Sequence, residues 1–266
     1  MHKNLKAENE KYFCTDQKWI SEVCDAWMND ESNSKHRYDI MRSVCGDDKL
    51  KESRILDMSS GCGTFVFYGL LNGYNVYGVE PEKWKHRFNS LKAKEKGYPS
   101  IWMNRFHFGV GERLPFQHES FDVISTYQTL EHVQSHKKCF SEFKRVLKKG
   151  GYLFIQCPNY TSFFEGHYRI PMLPLMNKRL FKIFLKLLKR PTEGLNTINY
   201  ITRKMILDYL GNDYRIYDIS LIRIKARIHN RFKINSGILA RTYRAYSQIR
   251  NICRCENSVN LAVLKK

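Results

Sequence analysis

Residues 55–65 read ILDMSSGCGTF, and the way this stretch parses decides the fold. Ile55 and Leu56 lead into Asp57, a run of small residues follows from Ser59 to Gly63, and an amphipathic stretch runs from Phe65 to Gly73. The pattern predicts a strand, a glycine-rich turn and a helix. Such a turn brings backbone N–H groups and a helix N-terminus up against a ligand. Gly61 and Gly63 remove the side chains that would hold a nucleoside away. The next apolar run, Tyr74 to Val79, ends in Glu80. An acidic residue at the tip of the second strand, about 20 residues on, is where ribose hydroxyls are held.

Four further stretches extend the pattern: VYGVEPE (76–82), GERLPF (111–116), SFDVISTYQTLEHV (120–133) and KKGGYLFI (148–155). Together with ILDMSSGCGTF they resemble the class I S-adenosylmethionine-dependent methyltransferases, in the branch that includes ubiquinone-biosynthesis-type enzymes. The resemblance covers roughly residues 50–160. It implies an α/β, Rossmann-like, seven-stranded, mostly parallel sheet with helices on both faces and an antiparallel last strand. It also implies S-adenosyl-L-methionine as cofactor. One departure stands in the turn. The family usually has Gly two residues after the Asp, and here Ser59 occupies that place, leaving Gly61 and Gly63. A serine still offers its N–H, so binding fails only if the turn requires positive φ there.

At 266 residues with 42% apolar content, one large domain spanning 1–266 is expected. The formal charge of +19 favours an anionic partner (a phosphorylated or otherwise anionic sugar, nucleic acid, an acidic membrane surface) or is a solvated lysine-rich surface. None of the eight cysteines forms a CxxC pair, and Cys253 and Cys255 have no partners at zinc spacing. They read as reduced thiols of a cytoplasmic protein, with no metal site. The N-terminus is charged without an apolar core, and no stretch approaches the length of a transmembrane helix.

In chain order, residues 1–50 read as a helical cap. Ile20, Val23, Cys24 and Trp27 form one stripe within Tyr12–Trp27, and Ile40, Met41 and Val44 form another within His36–Cys45. Strands are expected at 53–58, 74–80, 101–109, 121–126 and 152–157. Helices are expected at 65–73, 82–97 and 136–149. Phe140, Phe143, Val146 and Leu147 point inward from the last of these, Lys148 and Lys149 lie at its negative end, and Gly150-Gly151 stop it. Strands alternating with helices call for a parallel sheet covered on both faces. Residues 158–200 break the rhythm with four of the seven prolines and read as an inserted lid or substrate segment. Within it NKRLFKIFLKLLKR (177–190) carries Lys178, Lys182, Lys186 and Lys189 on one face and Leu180, Ile183, Phe184, Leu187 and Leu188 on the other. It reads as a lid helix packed on its own domain or as a peripheral membrane contact. A helix at 202–211 and strands at 214–224 and 258–264 complete the core. A basic insertion with Tyr243 and Tyr246 fills 225–257 before the last strand.

Methyl transfer from a sulfonium needs little covalent help, so binding and positioning residues dominate. Asp57 orders the turn and accepts hydrogen bonds from the cofactor's amino end. Glu80 is the ribose ligand, and Pro81 lies against the adenine ring. Glu112 and Arg113 stand near the adenine edge, where relatives carry an Asp at the position of Val110. Gln128, with Tyr127 and Thr129, lines the methionine end, while Asp122 is structural. In ubiquinone-type relatives an arginine placed like Arg37 binds the cofactor's carboxylate; Arg42 is the alternative. Glu131-His132 matches the family's EHV, with His132 as general base or as a loop-ordering histidine. EGHYRIPMLP (165–174) follows the fifth strand, where acceptors bind, and resembles a segment of methyltransferases from bacterial surface-glycan clusters. His167 is the second candidate base. The expected activity is methylation of a hydroxyl on a small or glycan-linked acceptor in polysaccharide biosynthesis. RNA, a quinone or lipid, and non-catalytic cofactor binding are the alternatives.

Overall fold

A computed structural model describes residues 17–223 and 256–266. The basic segment with Tyr243 and Tyr246, together with Cys14, Cys253 and Cys255, lies outside the described residues.

Helices α1 (Gln17–Met28), α2 (Ser32–Cys45) and α3 (Asp47–Glu52) precede β1 (Arg54–Met58). Then come α4 (Thr64–Leu71), β2 (Asn75–Glu80), α5 (Lys83–Glu95), β3 (Phe106–Phe108), β4 (Phe121–Tyr127), α6 (His136–Val146) and β5 (Leu147–Pro158). A short hairpin, β6 (Phe164–Glu165) and β7 (Ile170–Pro171), leads into α7 (Lys178–Leu187), α8 (Gly194–Thr197) and α9 (Arg203–Leu210). The chain closes with β8 (Tyr214–Asp218) and β9 (Ser258–Lys265).

The main sheet runs β3-β2-β1-β4-β5-β9-β8. β3, β2, β1, β4 and β5 pair in parallel, and β9 runs antiparallel to both β5 and β8. This is the Rossmann-like arrangement the motifs imply, with the last strand antiparallel.

The strands alternate between two cores, as they must when both faces are covered. Ile55, Val123, Phe154 and Ala262 pack with Tyr38, Met41 and Phe65 on one face. Leu56, Ile124, Leu153, Leu261 and Val263 pack with Phe140, Phe143 and Val146 on the other. Burying each large side chain contributes about 1.5–3 kcal/mol, so this alternation fixes which way every strand residue points. It puts Asp57 and Ser125, neighbours in register on β1 and β4, beneath α2. Both are hydrogen-bonded by Arg37 of that helix.

Several expected elements are corrected. The third strand is only Phe106–Phe108, because Ser100–Arg105 coil into a 3-10 turn behind Pro99 and leave Ile101 exposed. The helix expected to reach 149 stops at Val146, since Leu147 already pairs with Phe121 of β4. Lys148 therefore bonds Asp122 rather than a helix end, while Asp122 also accepts from the Arg54 amide, a structural role as expected. The strand expected at 214–224 is Tyr214–Asp218, and the chain turns helical from Ser220. Residues Asp47–Glu52 carry the expected N-terminal helical cap two residues past 50 as a short separate helix.

The 158–200 segment joins the main core through Tyr160, Tyr168, Ile170, Met172, Phe181, Leu185, Leu195 and Ile198. α7 docks by Phe181 and Leu185, an i, i+4 pair, with Phe181 meeting Tyr168 edge to face. Leu180, Ile183 and Leu187, expected on its inward face, are 57%, 56% and 76% exposed. Among the described residues no helix is long and apolar enough to cross a membrane. No disulfide joins the described cysteines, and Cys24, Cys62, Cys139 and Cys157 are buried.

Candidate active site

The turn after β1 is held from three sides. Ser60 donates its amide to Val79, Gly61 donates to the Glu80 carboxylate at 2.9 Å, and Asn89 donates to the Gly61 carbonyl at 3.1 Å. Glu80 also accepts from the Glu82 amide at 3.1 Å and lies 3.4 Å from Lys85 Nζ. Its carboxylate is thus at the tip of β2, where the sequence places it, but it braces the turn from a buried position.

Beneath the turn is a group the sequence reading missed. Lys92 is fully buried, pairs with Asp30, and donates to the Cys62 and Trp27 carbonyls at 3.2 and 3.0 Å. It ties the glycine turn to the end of α1. Within the lysine-rich α5 it looked like a solvated charge. Its i, i+4 spacing from Phe88 was the available signal, because Phe88, Asn89, Lys92 and Ala93 share the buried face.

Ser59 has φ +58, in the left-handed region. The condition for failure, positive φ at this position, is therefore met, but serine adopts it, at a cost, and the turn still forms. That strain is about 1–2 kcal/mol for a non-glycine residue. A glycine there would also gain unfolded-state entropy, costing about 0.5–1 kcal/mol. Ser59→Gly is therefore expected to stabilise the protein by about 0.5–1 kcal/mol, raising the melting midpoint by about 1–4 °C. Differential scanning calorimetry checks this; a lowered midpoint contradicts it.

Arg37 lines a separate, smaller pocket with Ser125, Tyr127 and Gln156. Its guanidinium is 2.5 Å from Asp57, 2.6 Å from Ser125 Oγ, and lies over the rings of Phe65 and Tyr127 at 3.8 and 4.9 Å. Burial pushes the Asp57 carboxyl up to about 6, against the pull of Arg37. Arg42 turns away, to Asp39 and Asp47.

A cavity of about 420 Å³ opens beside the turn, lined by Met58, Ser59, Pro81, Val110, Glu112 and His132 among others. That volume suits a cofactor-sized ligand. A Cβ on Gly61 would meet nothing within 4 Å, so the turn faces open space there. These features fit a bound nucleoside. Glu112 accepts from the Gln134 and Ser135 amides, which shapes the cavity wall, while Arg113 is exposed and outside the lining. Gln128 is exposed at φ +52, and Thr129 lines the cavity.

The EHV stretch and the EGHY stretch meet in space. His132 and His167 stand edge to face with ring centroids 5.3 Å apart. Nδ1 of His167 is 2.8 Å from Glu165, and its Nε2 is 3.8 Å from Glu131. Burial disfavours charge on His167, but its Glu165 bond and the two carboxylates outweigh that and raise its pKa. Burial pushes Glu131 up to about 7.

The strand order β3-β2-β1-β4-β5-β9-β8, with a Gly-rich turn after β1 and Glu80 at the tip of β2, defines a Rossmann-like α/β fold. Residues 56–155 match the family model described as a methyltransferase domain. A demethylmenaquinone methyltransferase of Chlorobaculum parvum is 32% identical over 139 residues, 51% of this chain and 49% of its own. The chain thus spans about half the length of that curated relative. Among solved structures, Bacillus subtilis YcgJ superposes with a TM-score of 0.54 at 17% identity, over 87% of this chain and all but 1% of its own. Phosphoethanolamine N-methyltransferase 2 of Haemonchus contortus, solved with phosphomonomethylethanolamine and S-adenosylhomocysteine, does so at 0.53 and 16% identity, over 87% and 52%.

Proposed function

We propose that this chain transfers the methyl group of S-adenosylmethionine to a hydroxyl of a small or glycan-linked acceptor. The observation that carries the reading is the turn and what adjoins it: Glu80 braces Gly61, and Met58, Ser59 and Pro81, next to these residues in the chain, line a cofactor-sized cavity together with His132. The bound cofactor supplies an electrophilic methyl carbon on a cationic sulfur. The protein's part is to bind, align and exclude water. Arg37 and Asp57 hold the amino-acid end, Glu80 the ribose, and Pro81 and Val110 flank the adenine. Gln128 and Thr129 flank the methionine chain. The His132–His167 pair lies past the ends of β4 and β5, where an acceptor would sit.

A second reading has its own observation. The outward ridge of α7, Leu180, Ile183 and Leu187, stands among Arg179, Lys182 and Lys186, and the helix carries no carboxylate. An apolar ridge flanked by cations suits an anionic lipid surface and a quinone or lipid-linked acceptor. Formation of S-adenosylhomocysteine, followed with soluble sugar acceptors and with quinols in anionic vesicles, separates the two. Turnover with soluble sugars is expected. Turnover only with vesicle-held quinol replaces the first reading by the second, and none with either removes both.

A further inference from the structure

Glu131, His132 and His167 converge from two parts of the chain 35 residues apart, and one ligand atom from each lies within 4.8 Å of the others. We propose that these three residues bind a divalent transition-metal ion, a site that sequence spacing does not display.

The arrangement is that of a metal centre in its supports as well as its ligands. Glu131 is fully buried, yet neither of its carboxylate oxygens has a hydrogen-bond partner. A buried carboxylate left in that state is costly unless something positive joins it. Nδ1 of His132 is 3.2 Å from the Thr197 carbonyl, which accepts only, so that nitrogen carries the proton and Nε2 is the ligating one. Nδ1 of His167 donates to Glu165 at 2.8 Å, which directs Nε2 towards Glu131. Glu165 is itself fixed by the Tyr168 amide at 2.6 Å. Imidazoles oriented from behind by a carbonyl and a carboxylate are the usual outer shell of metal-binding histidines.

Ligand atoms around a tetrahedral ion stand about 3.4 Å apart, given bonds of about 2.1 Å. Closing from 4.8 Å asks for small side-chain rotations, and His132 is exposed enough to make them. Two imidazoles and one carboxylate favour zinc, iron or cobalt over magnesium, which prefers oxygen. Three protein ligands leave positions open towards the cavity that His132 lines.

The role of the ion rests on the methyl-transfer reading; its binding does not. An acceptor hydroxyl beside the ion loses its proton to water more readily. Its oxygen then bonds to the methyl carbon as the carbon–sulfur bond breaks. The electron pair stays on sulfur, giving the ether, S-adenosylhomocysteine and one released proton.

The test is Co²⁺ titration of chelator-stripped full-length protein, read by visible absorption, with no cofactor present. One equivalent should bind with a tetrahedral or five-coordinate spectrum, and excess Mg²⁺ should not displace it. His132→Ala and His167→Ala should each weaken binding at least 30-fold. His118→Ala, at an exposed histidine elsewhere, should not. Because Glu131→Gln removes a buried group, its folding is checked by circular dichroism, and the exposed His132 carries the conclusion if it fails. Absence of saturable Co²⁺ binding, or wild-type affinity in either histidine variant, overturns the site. Cofactor calorimetry on the same samples shows separately whether the methyltransferase reading stands.

Discussion

Arg37→Met is expected to destabilise the protein by about 3–5 kcal/mol near pH 8, because it strands a buried carboxylate. Asp57 is 3% exposed and Arg37 is its ion-pair partner. Methionine replaces some of the packing on Phe65 and Tyr127 but none of the charge. The pH dependence has a definite sign. The unfolded carboxyl titrates near 3.9. The native one sits at about 6 with Arg37 present, and higher without it. Between those two native values the variant's folded state holds an extra proton, so its stability falls faster as pH rises. The gap between variant and wild type should therefore be largest near pH 8 and narrow towards pH 5, where the carboxyl is neutral in both. Urea midpoints at the two pH values measure it. A gap that is independent of pH, or larger at pH 5, contradicts the pairing.

The second large effect separates two glycines that look alike in the sequence. A Cβ on Gly63 would stand 2.8 Å from Phe67, 3.0 Å from Asn89 and 3.0 Å from Phe106, at φ +72. Left-handed strain of about 1–2 kcal/mol and overpacking of about 1–3 kcal/mol together make Gly63→Ala cost about 2–5 kcal/mol. Gly61 has φ +54 and open space where its Cβ would be. Gly61→Ala should cost only the strain, about 1–2 kcal/mol, and remain folded. Its methyl projects into the cradle, so the loss appears in affinity for S-adenosylhomocysteine. Thermal melts and calorimetry on the pair distinguish the roles. Equal destabilisation, or an unaltered affinity in Gly61→Ala, counts against the assignment.

Much of this architecture could be read from local chemistry. The run from Ile55 to Phe65 names its own strand, turn and helix, because small residues and glycines have few other uses between apolar segments. The tips of β1 and β2, at Asp57 and Glu80, followed from it. What stayed hidden depended on packing across the chain. α7 has two apolar stripes at helical spacing, and only tertiary contact decides that Phe181 and Leu185 dock while Leu180, Ile183 and Leu187 face out. Lys92 and Asp30 bury a charge pair that is written as two ordinary surface residues. The meeting of His167 with Glu131 needs the EGHY segment to fold back over the end of β4. Residues 101–105 offered no alternation to separate a strand from the 3-10 turn they adopt.

The central claim is that the braced turn and Glu80 grip an adenosyl group. Isothermal calorimetry with S-adenosylhomocysteine on the wild type and Glu80→Ala tests it most directly. One saturable site is predicted, weakened about 10-fold or more in the variant by the loss of charge-assisted hydrogen bonds of about 1.5–3 kcal/mol. No heat of binding, or the same affinity in both proteins, would contradict it.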